Sequence, residues 1–127
     1  MQSNKRKAAI YCRVATASDF AMEKQRDSLR CFAAAEGYEI STEYLDNGAK
    51  GLSHDRPAFS RLNKDMQTGI VQTVFVKSVS RIGRDKPAVM EWLNMARSLG
   101  VDVISEYDDI DDCETLHKLM REIINLK

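Results

Sequence analysis

Apolar residues along the chain follow two alternating spacings, one typical of strands and one typical of helices. Four short apolar runs predict buried strands, and these cover residues 8–14, 38–45, 71–77 and 101–104. Between them, apolar residues recur every three or four positions, which predicts amphipathic helices. Strands and helices that alternate in this way predict an α/β domain with a mostly parallel central sheet of four or five strands flanked by helices.

Glycine, proline and aspartate mark the predicted helix ends. The first three helices each stop at a glycine, at Gly37, Gly69 and Gly100. Pro57 and Pro87 fall in the first turn of the second and third helices, where a proline forfeits no hydrogen bond. Asp85 is predicted to cap the third helix. A last helix is predicted from about residue 114 to residue 126.

Length and composition indicate a single domain. A chain of 127 residues with 43% hydrophobic content fits one compact core. We expect residues 1–107 to form the main domain and residues 108–127 to add an acidic loop and a short helix to it, with no separate DNA-binding domain. No apolar run reaches membrane-spanning length. The three cysteines form no Cys-x-x-Cys pair, which with the lack of a signal peptide predicts a cytoplasmic protein with no metal or other cofactor.

The charges are unevenly distributed although the formal net charge is +0. Residues 102–114 carry only acidic charges, whereas residues 56–86 hold a concentration of lysine and arginine. A neutral total removes the simplest argument for nucleic-acid affinity. The segregation still predicts a molecule that is basic on one side, and local charge matters more to an anionic ligand than the total does.

Four arginines are predicted to lie on one rim of the sheet. In an open parallel sheet, ligands bind outside the carboxyl ends of the strands. The arginines lie at the end of the first strand or in the loops after the second and third, and they are Arg13, Arg56, Arg81 and Arg84. Each taken alone is an ordinary surface charge or salt-bridge partner. Four cations on one rim repel one another unless an anion joins them, so together they predict an anion site.

Four segments carry a resemblance to a known family. They are YCRVAT at residues 11–16, DNGAKG at 46–51, DRP at 55–57 and VKSVSRIGRD at 76–85. Together they resemble the N-terminal catalytic domain of serine recombinases, the resolvase/invertase family, over about residues 8–107. The resemblance implies a resolvase-like fold, the DNA backbone as partner, and DNA cleavage and strand exchange through a phosphoserine link without a metal. It also implies a setting in DNA integration and mobile elements.

The same resemblance implies roles for individual residues. The implied catalytic residues are Arg13, Gln25, Asp46, Arg56, Arg81 and Arg84, with Ala15 at the position of the nucleophile. The implied ligands of the DNA phosphate are the four arginines together with Lys50 and Lys77. Tyr11 is interpreted as structural support.

Two departures from the family pattern concern the chemistry of cleavage. Ala15 stands where the family has its nucleophilic serine, and Lys50 stands where it has a second serine. One such change fits an engineered knock-out, whereas two favour a lineage no longer selected for cleavage. Thr16 and Ser18 are nearby hydroxyls, but the residue next to Ala15 along an extended strand end points to the opposite face.

The sequence supports three hypotheses on function. The leading one is a site-specific serine recombinase catalytic domain that is impaired because Ala15 lacks a hydroxyl, so that enzyme activity stays open. The second is a non-enzymatic recombinase-like module that binds or modulates active recombinases or their DNA complexes, as a homodimer or heterodimer. The third is a fragment of a longer chain with its own DNA-binding domain.

Overall fold

The computed structural model of the chain describes residues 6–49 and 56–107. Its strands and helices alternate in the predicted order. They are β1 (Arg6–Val14), α1 (Asp19–Ala35), β2 (Tyr38–Asn47), α2 (Pro57–Gln67), β3 (Thr73–Val76), a 3₁₀ turn (Val79–Arg81), α3 (Lys86–Ser98) and β4 (Asp102–Ser105).

The four strands form one parallel sheet in the order β2-β1-β3-β4. Helix α1 packs on one face of the sheet, and α2 and α3 pack on the other. The predicted fold class is confirmed, with four strands in the described part of the chain. Because β1 lies inside the sheet between β2 and β3, its carboxyl end is surrounded by the loops that follow its neighbours.

Strand β1 is buried on both faces, which explains its continuous apolar run. Ile10 and Cys12 point towards α1, whereas Ala9 and Tyr11 point towards α2 and α3. Since side chains alternate along a strand, Arg13 follows Tyr11 onto the face of α2 and α3. Arg13 therefore lies near the end of the most buried strand of the fold.

The short strands β3 and β4 start later than predicted for a shared reason. The amide of Val71 donates to the carbonyl of Asp65 in α2, and the amide of Val101 donates to the carbonyl of Ala96 in α3, so both residues finish the preceding helix. All four residues of β3 are buried. By alternation, Lys77 beyond its end shares the face of Phe75, which packs with α1.

The helix ends agree only in part with the sequence prediction. Glycines follow the helices as predicted, and Gly37 adopts a φ of 89° that favours glycine over any other residue. Asp85 occupies the cap position of α3, but its side chain makes no capping hydrogen bond, so that prediction is wrong in its mechanism. Ser18 caps α1, accepting from the amide of Ala21 at 3.1 Å. The 3₁₀ turn was not predicted.

Several sequence predictions fall outside the described residues. They concern Lys50, the acidic loop from residue 108 and the helix at residues 114–126. Within the described ranges, no helix is long and apolar enough to cross a membrane.

Candidate functional site

The loops after β1, β2 and β3 meet at the carboxyl end of the sheet, as predicted. The amides of Gly48 and Ala49 both donate to the carbonyl of Val14, at 2.6 and 3.0 Å. Gly48 has a φ of 91°, and a Cβ atom there would lie 3.3 Å from the Cβ of Ala17. A glycine is thus required where the second loop turns against the first.

Arg13 holds these loops together through its guanidinium group. The side chain donates to three backbone carbonyls, with Nε to Arg81 at 2.9 Å, Nη1 to Ala49 at 3.0 Å and Nη2 to Ser80 at 2.6 Å. Arg13 is only 3% exposed. Of its five N–H groups, two remain for another acceptor. The buried arginine therefore organises the site, with limited capacity left for a ligand.

The backbone of Arg13 is fixed as firmly as its side chain. The amide group of Gln25, in α1, accepts from the Arg13 amide at 3.1 Å and donates to its carbonyl at 3.2 Å. The same carbonyl accepts from Nη1 of Arg81 at 3.2 Å. Gln25 is buried, which places this implied catalytic residue behind the loop as a support for the Arg13 main chain.

Positive charges crowd around Arg13. Burial lowers the pKa of its guanidinium group, and the neighbouring charges of Arg56, Arg81 and Arg84 lower it further. The segments that carry Arg56 and Arg81 also meet here, since Arg81 donates to the carbonyl of Arg13 and Arg56 donates to the carbonyl of Ile82. We refer to Arg13, Arg56, Arg81 and Arg84 as the arginine set.

The members of the arginine set differ in how many contacts they make with the rest of the protein. Arg56 lies over the ring of Phe59 at 3.9 Å and donates from Nη1 to the carbonyl of Ile82 at 2.5 Å. Arg81 has a buried Nε atom with no hydrogen-bond partner. Arg84 is exposed and forms no hydrogen bond or ion pair within residues 6–49 and 56–107. Arg84 is thus the member most available to a ligand.

Asp46 acts as a helix cap supplied from a neighbouring strand. Its carboxylate accepts from the amides of Ala58 and Phe59 at 2.9 and 3.0 Å, in the first turn of α2. It also accepts from the hydroxyl of Tyr11 at 2.8 Å. Burial, with this hydrogen bond, raises the pKa of Tyr11, so the phenol stays protonated. The three contacts fix the start of α2, where Arg56 stands.

Among the described residues close to Ala15 in the sequence, Thr16 and Ser18 carry hydroxyls and Cys12 carries a thiol. Ala15 is partly exposed and Thr16 is exposed. The Ser18 hydroxyl accepts the capping hydrogen bond of α1, and its amide donates to Asn47 at 2.9 Å. The thiol of Cys12 is fully buried, and burial raises its pKa to about 12, which leaves it protonated at neutral pH.

Lys77 lies apart from the arginine set. Its ammonium group donates to the hydroxyl of Ser28 at 3.2 Å and lies 4.0 Å from Glu106, on the face of the sheet covered by α1. The sequence does not predict these contacts, because the residues that make them lie far apart along the chain. Ser28 and Glu106, for example, are 78 positions apart. The structure therefore brings together the segments that carry the arginine set, and it gives Lys77 other partners.

The arrangement is suited to an oxyanion. Guanidinium groups stay charged at physiological pH and match phosphate oxygens, and each charge-assisted contact contributes about 1.5 to 3 kcal/mol before desolvation is subtracted. In the described part of the chain, no group of three histidine, cysteine, aspartate or glutamate side chains is placed to hold a metal ion.

Comparisons with known proteins identify the family and the fold. The family described as "Resolvase, N terminal domain" matches residues 8–126. The N-terminal catalytic domain of TP901-1 integrase is 29% identical, superposes with a TM-score of 0.81, and the match covers 94% of both chains. A resolvase family site-specific recombinase from Streptococcus pneumoniae is 29% identical, with a TM-score of 0.73 and coverage of 96% of this chain and 92% of that one.

A more distant structure shares the fold alone. The C-terminal catalytic domain of ISC1926 TnpA, an IS607-like serine recombinase, is 22% identical, with a TM-score of 0.74 and coverage of 94% of this chain and 80% of that one. A search of curated proteins gives no match. The fold and the site define a catalytic domain of the serine recombinase class. The chain belongs to the resolvase family, whose N-terminal domain it matches over nearly its whole length.

Proposed function

We propose that this chain binds the DNA backbone at its arginine set and does not cut the strand. One observation carries the proposal: Arg13, near the end of β1, donates to the carbonyls of Ser80 and Arg81, while Arg81 donates back to the carbonyl of Arg13 and Arg56 donates to that of Ile82. Cations from three segments thus meet at one end of the sheet, and Ala15, two positions after Arg13, ends in a methyl group. Cleavage requires an oxygen that attacks phosphorus, and a methyl group has no lone pair to supply. Binding requires only the cations.

In this proposal the members of the arginine set have different roles, which follow from their contacts. Arg13 aligns the loops, Arg56 is oriented by Phe59 and the Ile82 carbonyl, and Arg84 reaches solvent. A phosphate that enters from solvent meets Arg84 first and then the groups behind it. Preorganised cations of this kind stabilise a charged phosphate without reorganisation.

The first prediction concerns covalent chemistry. The chain is expected to form no protein–DNA adduct when incubated with supercoiled DNA that bears a relative's crossover site, because Ala15 offers no nucleophile. A denaturing gel detects an adduct directly, and a competent relative on the same DNA serves as the positive control. A phosphothreonyl link mapped to Thr16 would contradict the prediction and make Thr16 a displaced nucleophile.

The second prediction concerns binding. Arg84→Gln is expected to weaken binding to a duplex about fivefold and to reduce the slope of log affinity against log salt by about one, since one phosphate contact is lost. Fluorescence anisotropy at several salt concentrations measures both quantities. Arg97→Gln is the matched control, because Arg97 lies in the last turn of α3, at the opposite end of the sheet. If both variants change the affinity and the salt slope equally, the arginine set is not the site of DNA contact.

The alanine also supports a second candidate function. A domain that binds the backbone without cutting can occupy a crossover site beside active copies and modulate them. Addition of the chain to an active relative is then expected to change the relative's recombination rate, whereas the Arg84→Gln variant changes it less. An unchanged rate at saturating concentration rejects this candidate and leaves the DNA-binding proposal in place.

A further inference from the structure

A cluster of polar side chains lies on the face of the sheet that α1 covers, opposite the face onto which the Arg13 side chain points. Its members are Lys77, Ser28, Glu106 and Tyr107, which we call the lysine cluster. The Ser28 hydroxyl donates to Glu106 at 2.8 Å and accepts from Lys77 at 3.2 Å. The Lys77 ammonium also lies 5.1 Å from the centre of the Tyr107 ring. Lys77 and Glu106 are only 23% and 21% exposed, so their contacts with Ser28 are largely sheltered from water, whereas the Tyr107 ring is exposed.

The main chain at Lys77 is held by the same segment. The amide of Glu106 donates to the carbonyl of Val76 at 3.0 Å, and the amide of Tyr107 donates to the carbonyl of Lys77 at 3.1 Å. The hydrogen bonding between β3 and β4 therefore continues for two residues beyond the strands. Both the backbone and the side chain of Lys77 are fixed at the point where the loop with Arg81 and Arg84 begins.

Helix α1 connects this cluster to the arginine set. Gln25 and Ser28 are three positions apart and share one face of the helix. Gln25 holds the main chain of Arg13 at the end of β1, and Ser28 holds the side chain of Lys77 at the end of β3. One helical turn thus sets the relative position of the two strand ends whose loops interlock through the Arg13 guanidinium.

We propose that Lys77 is a positioning residue for the arginine set: through Ser28, Glu106 and Tyr107 it fixes the origin of the loop that carries Arg81 and Arg84. Lys77 makes no contact with the DNA phosphate. The role in DNA binding rests on the proposed function, whereas the positioning of the loop stands on the contacts of the lysine cluster.

The experiment compares variants of the full 127-residue chain by NMR of the arginine side-chain Nε–H groups. Lys77→Gln, Ser28→Ala and Glu106→Gln are each expected to shift the Nε–H signals of Arg13 and Arg81, because all three changes release the same loop. Lys77→Arg keeps a cation beside Glu106 and is expected to restore the wild-type positions. The Arg26 signal, from a side chain held by Glu43 at 3.1 Å, is the internal reference and is expected to stay in place.

Lys7→Gln is the matched control variant. Lys7 also faces a glutamate, with its ammonium 3.9 Å from Glu39, but it lies at the opposite end of β1. It is expected to leave the Arg13 and Arg81 signals unchanged. Unchanged signals in Lys77→Gln would overturn the proposal. If that variant does not fold, Ser28→Ala and Glu106→Gln decide. Ser28→Ala removes the hydroxyl that bridges Lys77 and Glu106, and Glu106→Gln removes the negative charge beside Lys77, both with little change in volume.

DNA binding separates this proposal from the proposed function. Lys77→Gln is expected to weaken duplex binding about three- to tenfold with no change in the salt slope, because the number of phosphate contacts stays the same. A slope reduced by about one would make Lys77 a phosphate ligand and overturn its positioning role. If the wild-type chain binds no duplex, the proposed function fails, and the NMR comparison still decides the role of Lys77.

Discussion

Replacing Arg13 by methionine is expected to lower the free energy of unfolding by about 3 to 5 kcal/mol, the largest effect predicted for a single side chain here. Methionine keeps much of the aliphatic volume but supplies no donor. The carbonyls of Ala49, Ser80 and Arg81 then lose the guanidinium that joins them. Each buried acceptor left unpaired costs about 1 to 3 kcal/mol, and partial access of water keeps the total below the full sum.

Urea unfolding followed by circular dichroism measures this loss. Arg26→Met is the matched control, because Arg26 is also an arginine in contact with acceptors, but it pairs with Glu43 near the surface and is expected to contribute about 1 kcal/mol or less. Equal losses in the two variants would mean that water replaces the Arg13 guanidinium and that the loops keep their positions without it.

The sequence predicts most of the fold because strand-like apolar runs alternate with amphipathic helices that end at glycines. The continuous apolar run of β1 indicates burial on both faces, and the structure has it inside the sheet. The errors lie at element ends. Val71 and Val101 are apolar like the strand residues that follow them, yet their amides donate to carbonyls at the ends of α2 and α3. An apolar pattern does not distinguish a residue that ends a helix from one that begins a strand.

The location of the site is predictable, whereas its internal contacts are not. The carboxyl-end rule for parallel sheets places Arg13, Arg56 and the loop after β3 on one rim, and the structure brings them together there. The acceptors of Arg13 are backbone carbonyls, which every residue has, so no side chain in the sequence marks them. The close packing of the loops is therefore visible only in the fold.

The placement of Lys77 shows where two lines of sequence reasoning conflict. The resemblance to serine recombinases implies a phosphate ligand, because a lysine precedes the paired arginines of that family. The alternation along β3 implies instead that Lys77 shares the face of Phe75, away from Tyr11 and Arg13. The contacts with Ser28 and Glu106 follow the alternation. The phosphate-ligand role that the resemblance implies for Lys77 stays a prediction.

Asp46→Ala is expected to lower the free energy of unfolding by about 2 to 3 kcal/mol. The change removes the cap of α2 and leaves the amides of Ala58 and Phe59 without their acceptor. It also leaves the buried hydroxyl of Tyr11 without a hydrogen-bond acceptor. A lost cap costs about 0.5 to 2 kcal/mol, and a buried unpaired hydroxyl adds about 1 to 3 kcal/mol, part of which relaxation recovers. Urea unfolding measures the total.

A double-mutant cycle with Tyr11→Phe divides this loss between its two causes. Tyr11→Phe alone is expected to cost about 1 kcal/mol, but to cost nothing in the Asp46→Ala background, where the hydroxyl has already lost its acceptor. Asp65→Ala is the matched control, because Asp65 accepts from the hydroxyl of Tyr44 at 2.5 Å in a half-buried position and caps no helix through its side chain. A loss in Asp46→Ala no greater than in Asp65→Ala, with additive effects in the cycle, would show that Asp46 does not hold α2. Arg56 would then owe its place at the rim to its contacts with Phe59 and Ile82 alone.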